Sequence, residues 1–332
     1  GNIAVTTNSA TATNPITVAK NITAAGDITL TAGEFSDSPD GPYLDDLTGN
    51  SGVTVQSSAG SITLRAGDDI SLATGSVLDD GGGAGDTITI TSGYVDLDLV
   101  GSVINTGTQI TISATEEGGP SHDTFTYNSS DTSSATSIQV NGQGGNDKLI
   151  INYAPLEAGT SMMPAGGLVF DGGTGNNDII IYSAGRNVSH KPTTAINGTV
   201  DFASPSRTLT YSNVKQTTAY FEGNGTDTFT LVLNGADDVV TVTAQTLDPA
   251  DGLGQRDWLV FSGTSGGVAF TNAAVRNFAL VVVNTTTGGG DGNDTITITS
   301  ASNAHDNTNL TFNTGSGADT VAINTANTVV LT

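Results

Sequence analysis

The sequence predicts an all-β chain built as an elongated parallel β-solenoid with loop insertions. Three observations carry that expectation. Short runs alternate apolar with small polar residues, as in Ser61-Ile62-Thr63-Leu64 and Thr87-Ile88-Thr89-Ile90, the period of a strand with one dry and one wet face. Glycine occupies 43 of 332 positions and charged residues only 13%, and no run of Leu, Ala, Lys and Glu repeats at the helical period, so helices have little to form from. A glycine turn followed by an acid and then a strand recurs along the chain, as in a repeat architecture.

Residues 1–115 are the most regular segment. Ile16-Thr17-Val18, Ile28-Thr29-Leu30, Val53-Thr54-Val55, Ile62-Thr63-Leu64, Ile70-Ser71-Leu72, Ile88-Thr89-Ile90 and Ile110-Thr111-Ile112 read as strands, with Gly or Asn between them for turns. The stretch from Glu34 to Asn50, with Ser38-Pro39-Asp40-Gly41-Pro42, reads as a polar loop. The phrase Ser58-Ala59-Gly60-Ser61-Ile62-Thr63-Leu64-Arg65-Ala66-Gly67-Asp68-Asp69-Ile70 resembles the repeats of filamentous haemagglutinin-type secreted adhesins. That resemblance covers about a quarter of the chain and implies a right-handed β-helix and an adhesive, secreted role.

Residues 116–200 carry insertions. Glu116 to Ser137 is a Ser-, Gly- and Asp-rich loop, whose His122 beside Asp123 reads as a solvated pair rather than a catalytic one. Lys148-Leu149-Ile150-Ile151 and Ile179-Ile180-Ile181-Tyr182 are unbroken apolar runs, expected to be buried on both faces or to mark a rung junction. Arg186, His190 and Lys191 fall together between Arg186 and Pro192 and read as a small basic patch on a loop.

Residues 201–332 are expected to resume the solenoid, through Thr208-Leu209-Thr210-Tyr211, Phe229-Thr230-Leu231, Trp258-Leu259-Val260-Phe261 and Leu280-Val281-Val282-Val283. Phenylalanines gather here, as a wider core or an aromatic stack requires. Leu247 to Asp257 reads as an acidic loop. The three segments are expected to form one continuous solenoid cut from a longer polypeptide, since Gly1-Asn2-Ile3 and Val330-Leu331-Thr332 both read as cuts.

The candidate site is the glycine-aspartate turn. Gly289-Gly290-Asp291-Gly292-Asn293-Asp294-Thr295-Ile296-Thr297 fits Gly-Gly-x-Gly-x-Asp-x-apolar-x without a mismatch. Its glycines allow a tight turn with carbonyls pointing inward, its Asp adds a carboxylate, and the apolar residue enters a strand. Degraded copies carry Asp27, Asp68-Asp69, Asp86, Asp147, Asp178, Asp227, Asp237-Asp238 and Asp319. The copies lie tens of residues apart rather than in direct tandem, so Gly-x-Asp as plain corner chemistry stands beside the metal reading. From Gly289 onward the chain resembles the hemolysin-type calcium-binding repeat proteins, which implies calcium as the ligand. The expected ligands are Asp291, Asn293 and Asp294, then Asp147, Asp178, Asp227 and Asp319.

Charge narrows the function. A net charge of -24 leaves no clustered Lys and Arg for phosphate contacts, so nucleic acid is not an expected partner. No apolar run approaches the ~20 residues that span a bilayer, so no membrane insertion is expected. With no cysteine, thiolate zinc sites are excluded. The expected function is a structural or adhesive extracellular repeat protein at a cell surface, filament or matrix, not an enzyme, in which calcium stiffens the rod. Its expected partners are copies of itself end to end, neighbouring repeats, and cell-surface polysaccharide. The alternative is a polysaccharide-active β-helix enzyme, a lyase or glycoside hydrolase. Its paired carboxylates would come from Asp45-Asp46, Asp68-Asp69, Asp79-Asp80 or Asp237-Asp238, although neighbours in a strand face opposite ways. A third reading, Thr-x-Thr ladders that bind ice or crystals, is weaker, because Thr suits the wet face of any such sheet.

Overall fold

The computed structural model describes residues 1–7, 15–33, 46–66, 69–72, 77–79, 88–92, 94–98, 103–105, 109–114, 124–128, 132–133, 137–142, 146–153, 163, 165–203, 206–214, 218–286, 292–300 and 309–324. All regular structure among them is β. The chain divides into two compact units, Gly1–Asn177 and Asp178–Thr332.

In the first unit the strands fall into three parallel columns, visited in rotation. Ile3–Thr6, Ile28–Ala32, Ile62–Ala66, Ile88–Ser92, Gln109–Ala114, Ser137–Asn141 and Leu168–Asp171 stack in one sheet. Ile16–Val18, Leu47–Gly49, Asp69–Leu72, Tyr94–Asp98, Thr124–Asn128 and Lys148–Asn152 form the second. Ile22–Ala24, Thr54–Ser57, Val77–Asp79, Val103–Asn105 and Thr132–Ser133 form the third.

The register explains the alternation in the sequence. Ile28, Ile62 and Ile88 lie side by side, as do Leu30, Leu64 and Ile90, and all are fully buried. Thr29, Thr63 and Thr89 stand between them on the wetter face. Each buried aliphatic side chain contributes ~1.5–3 kcal/mol, so a column that keeps its register accumulates a continuous dry seam. A slip of one residue would turn every Ile outward and every Thr inward.

The second unit mixes parallel and antiparallel pairing. Asp178–Tyr182, Thr218–Glu222 and Asn272–Arg276 run parallel, as do Val188–Pro192, Thr228–Val232, Leu280–Asn284 and Asn309–Asn313. Two insertions depart from the parallel expectation. Val188–Pro192, Gly198–Phe202 and Arg207–Ser212 form an antiparallel meander, turned by Thr194, whose hydroxyl accepts the Ile196 and Asn197 amides. Asp238–Leu247 and Arg256–Ser265 form a long antiparallel hairpin. Its loop is shaped by the carboxylates of Asp248 and Asp251, which accept the Ala250 and Leu253 amides. Apolar alternation is identical in parallel and antiparallel strands, which is why Leu209 and Leu259 read as ordinary solenoid positions.

The unbroken run Ile179-Ile180-Ile181 is buried on both faces. Its inner side meets an aromatic stack in which Phe221 and Phe229 lie 4.8 Å apart and Phe229 and Phe278 5.7 Å apart. Arg186 is buried rather than on a solvated patch, His190 lies in the core of a strand, and Lys191 pairs with Asp201 at 2.5 Å.

Candidate functional site

The glycine-aspartate turns are built by close approach. A methyl group on Gly142 would lie 2.2 Å from Asp147 Oδ2, and one on Gly223 would lie 2.5 Å from Asp227 Oδ1. The acid folds back over the glycine Cα, and only glycine leaves it room. This links the two residue types of the motif without reference to an ion.

In the second unit three of these turns stack. The pairings Val239–Thr295 and Thr295–Thr320 bring Asp238, Asp294 and Asp319 into one line, and Asp237, Asn293 and Ala318 into another. The inner line runs one way: the Asp238 amide donates to Asp294 Oδ1 at 2.9 Å, and the Asp294 amide to Asp319 Oδ1 at 3.0 Å. The outer line runs the other way: the Asn293 amide donates to Asp237 Oδ1 at 2.8 Å, and the Ala318 amide to Asn293 Oδ1 at 2.8 Å. Corner amides lie beyond the strand ladder and would lose their partners there; side-chain oxygens from the adjacent rung replace them.

The first unit repeats the device with Asn in place of Asp. The Asp147 amide donates to Asn177 Oδ1 at 2.8 Å, and the Asn176 amide to Asn146 Oδ1 at 2.9 Å. A single-line version joins Asn2, Asp27 and Ser61: Asn2 Oδ1 accepts the Asp27 amide at 3.1 Å and Asp27 Oδ1 the Ser61 amide at 3.0 Å. Asn21 accepts the Thr54 amide and Asn187 the Thr228 amide in the same manner. Each acceptor stands one or two residues before a strand, so an Asn or Asp in that position is the signal in the sequence. Asn146, Asn177, Asn187, Asp237 and Asp238 were not among the expected ligands because the motif directs attention to one Asp per copy.

The expected ligands therefore separate. Asn293, Asp294 and Asp319 come together in adjacent rungs. Asp147 belongs to the pair with Asn177, and Asp178 is the first residue of the strand Asp178–Tyr182. Asp227 sits in a turn of its own, where Oδ2 accepts the Ser183 hydroxyl and the Gly185 amide and Oδ1 accepts the Asn224 amide at 3.1 Å. Asp291 lies outside the described residues.

Calcium needs six to eight oxygens around one point. Here Asp294 Oδ2 takes the Thr285 hydroxyl while Oδ1 takes the Asp238 amide. Among the described residues no group of three or more His, Cys, Asp and Glu converges on a metal position. The oxygens of Asp294 and Asp227 are held by N–H and O–H donors. Asp238 differs from its neighbours. It is fully buried, and neither carboxylate oxygen meets a donor at hydrogen-bond geometry. Burial raises its carboxyl above the ordinary range, the nearby Ser265 hydroxyl and Gly266 amide offset this in part, and the charges of Asp294 and Asp237 push it up further.

A second cluster clamps the hairpin. Tyr182, Glu222 and Arg276 are in register across three strands. Arg256 bridges Glu222, at 3.3 Å, and Asp251, which also accepts the Tyr182 hydroxyl. Arg276 approaches Glu222 at 3.6 Å, and both guanidinium groups lie over the Trp258 ring, 5.3 and 5.5 Å from its centre. Burial alone would raise the Asp251 carboxyl, but the Tyr182 hydroxyl and Arg256 outweigh it and hold it low. Trp258 is fully buried, so it offers no ring face to a sugar. Of the adjacent acid pairs, Asp237 and Asp238 lie on separate lines, and each of the other pairs has one member outside the described residues.

No protein-family model, curated protein or solved structure matches the chain.

Proposed function

We propose that the chain is a structural or adhesive extracellular repeat protein, a component of a surface, filament or matrix, whose units are parallel β-solenoids stitched at their corners. The observation that carries this reading is the pair of oppositely directed lines Asp238–Asp294–Asp319 and Asp237–Asn293–Ala318. Carboxylates engaged in tying rung to rung serve the integrity of a repeat and are withdrawn from chemistry on a substrate. The rotation of strands among three columns in residues 1–177 supports the same reading.

The partners proposed are further copies of the chain, joined end to end, and neighbouring repeats. Val240 and Ile296 are fully buried, whereas Val321, next in their line, is 44% exposed. Among the described residues that line ends with an apolar position uncovered, and a further parallel rung would cover it. Cell-surface polysaccharide remains a proposed adhesive partner.

Calcium is retained as a second reading on one observation, the buried and only partly compensated Asp238 carboxylate beside Asp294 and Asp237. An ion there requires the turn to rearrange around it.

The test has two arms on the same preparation. Sedimentation velocity over a wide concentration range reads assembly, and incubation with acidic and neutral polysaccharides reads release of new reducing or unsaturated ends. Concentration-dependent assembly without released ends supports the structural reading. Released ends that scale with protein overturn it in favour of the polysaccharide-active alternative.

A further inference from the structure

We propose that His190 is an acid latch: its imidazole is held neutral in the core of the second unit, and its protonation opens the antiparallel meander formed by Val188–Pro192, Gly198–Phe202 and Arg207–Ser212. The inference is independent of the structural and adhesive reading, since it concerns how this unit responds to its surroundings.

The strand alternation puts Val188, His190 and Pro192 inward and Ser189 and Lys191 outward. His190 stands opposite Val200 and beside Leu231, and Val200 stands opposite Leu209; all four are fully buried. Two rings enclose the imidazole, Tyr211 stacked at 5.9 Å and Phe221 tilted at 5.0 Å between centres. Nε2 lies 2.8 Å from the Tyr211 hydroxyl. Nδ1 is buried without a hydrogen-bond partner.

That environment accepts a neutral ring and rejects a charged one. An imidazolium has two N–H donors, and at Nδ1 there is no acceptor to receive the second. The groups facing it from the packed strands are uncharged. Gly198–Phe202 presents Val200, while its Asp201 turns outward to Lys191. Arg207–Ser212 presents Leu209 and Tyr211, whose hydroxyl burial keeps protonated. Thr218–Glu222 presents Phe221, while its Glu222 belongs to the Arg256 cluster. Thr228–Val232 presents Leu231. Burial alone lowers the imidazole to about 3.

The direction of the response follows from linkage. An unfolded histidine titrates near 6.5, so the open chain takes up a proton that the closed meander refuses. The stability contributed by the neutral ring is fully present above about pH 6.5 and is lost progressively as the pH falls toward the lowered value. The opening equilibrium therefore rises about tenfold for each pH unit below 6.5. Left-handed residues at Ala184 and Gly185 before the meander, and at Asn213 after it, mark where the chain changes direction and bound the segment that moves.

The test is amide hydrogen exchange of the whole chain between pH 4.5 and 7.5, corrected for intrinsic exchange rates, together with thermal unfolding over the same range. Wild type and His190→Phe are compared, with His190→Gln as the non-titrating polar control that serves alone if the Phe variant does not fold. Exchange in peptides spanning the meander that rises about tenfold per pH unit in wild type and stays flat in the variants supports the latch. Wild-type and variant profiles that run parallel overturn it, and so does acid-induced exchange spread evenly over the second unit.

Discussion

The Asp238 amide donates to Asp294 Oδ1 at 2.9 Å, yet the Asp238 carboxylate itself, one rung away in the same line, receives no hydrogen bond. The two residues occupy equivalent corners and do opposite things. Asp294 is a filled acceptor, holding the Asp238 amide and the Thr285 hydroxyl. Asp238 supplies an amide to the line, and its carboxylate is a burden on the fold.

The first prediction follows from the filled acceptor. Asp294→Ala strands one buried amide and leaves the Thr285 hydroxyl only the Asn313 carbonyl at 3.2 Å, which should cost about 2 kcal/mol in urea unfolding. Asp294→Asn retains an oxygen that can take the Asp238 amide and should cost clearly less. Equal losses in the two variants would mean that packing, rather than the acceptor, is what Asp294 supplies.

Asp238→Asn should act in the other direction. A raised carboxyl contributes stability that is fully present below about pH 4 and is lost as the pH rises through its folded value. The variant does not titrate, so its thermal midpoint should match wild type in acid and exceed it at neutral pH. Calcium decides between the two readings of the turn. A calcium-specific rise in the wild-type midpoint, absent with magnesium and absent in Asp238→Asn, would make Asp238 an ion ligand. Identical midpoints with calcium and with chelator would leave it a buried, partly compensated carboxyl.

Glycine at the stacked turns is required by contact rather than by torsion alone. A methyl group on Gly292 would lie 1.3 Å from the Ala236 carbonyl oxygen, which belongs to backbone and has nowhere to move. Gly292→Ala should therefore cost more than about 3 kcal/mol and uncouple the rungs. Gly225→Ala meets nothing within 4 Å but holds φ at +88°, and should cost only about 1–2 kcal/mol. Denaturant titration of both variants separates steric exclusion from strain.

Much of this fold is legible in the residues themselves. The alternation of Ile28, Ile62 and Ile88 with threonines identifies the dry face, because the hydrophobic effect allows only one register for it. The corners at Asp147, Asp227, Asp294 and Asp319 are legible from their glycines. What the acids do there is not, because a carboxylate that binds an ion and one that accepts an amide have the same local spacing; only the adjacent rung distinguishes them. Strand direction at Leu209 and Leu259 is hidden for a similar reason, since alternation carries no polarity. His190 reads as one of three basic groups in Arg186 to Pro192, although Val188-Ser189-His190-Lys191-Pro192 already has the period that turns it inward.

The clamp on the hairpin gives the last prediction. Arg256 joins Asp251 and Glu222, and its guanidinium lies over Trp258. Replacing it with Met keeps the packing of the stem and leaves two acids without their bridge, which should cost about 3 kcal/mol. The pH dependence has a definite sign. Arg256 helps to hold the Asp251 carboxyl below its ordinary value, so the stability it brings is present above about pH 4 and is lost as the pH falls through the lowered folded value. Arg256→Met should accordingly lie furthest below wild type near neutral pH and converge on it in acid. A constant gap at every pH would show that Arg256 acts through its contact with Trp258 and not through the acids. That outcome would also move the anchor of the hairpin from the ion pairs to the ring, because Asp251 would then hold the loop through the Tyr182 hydroxyl and the Leu253 amide.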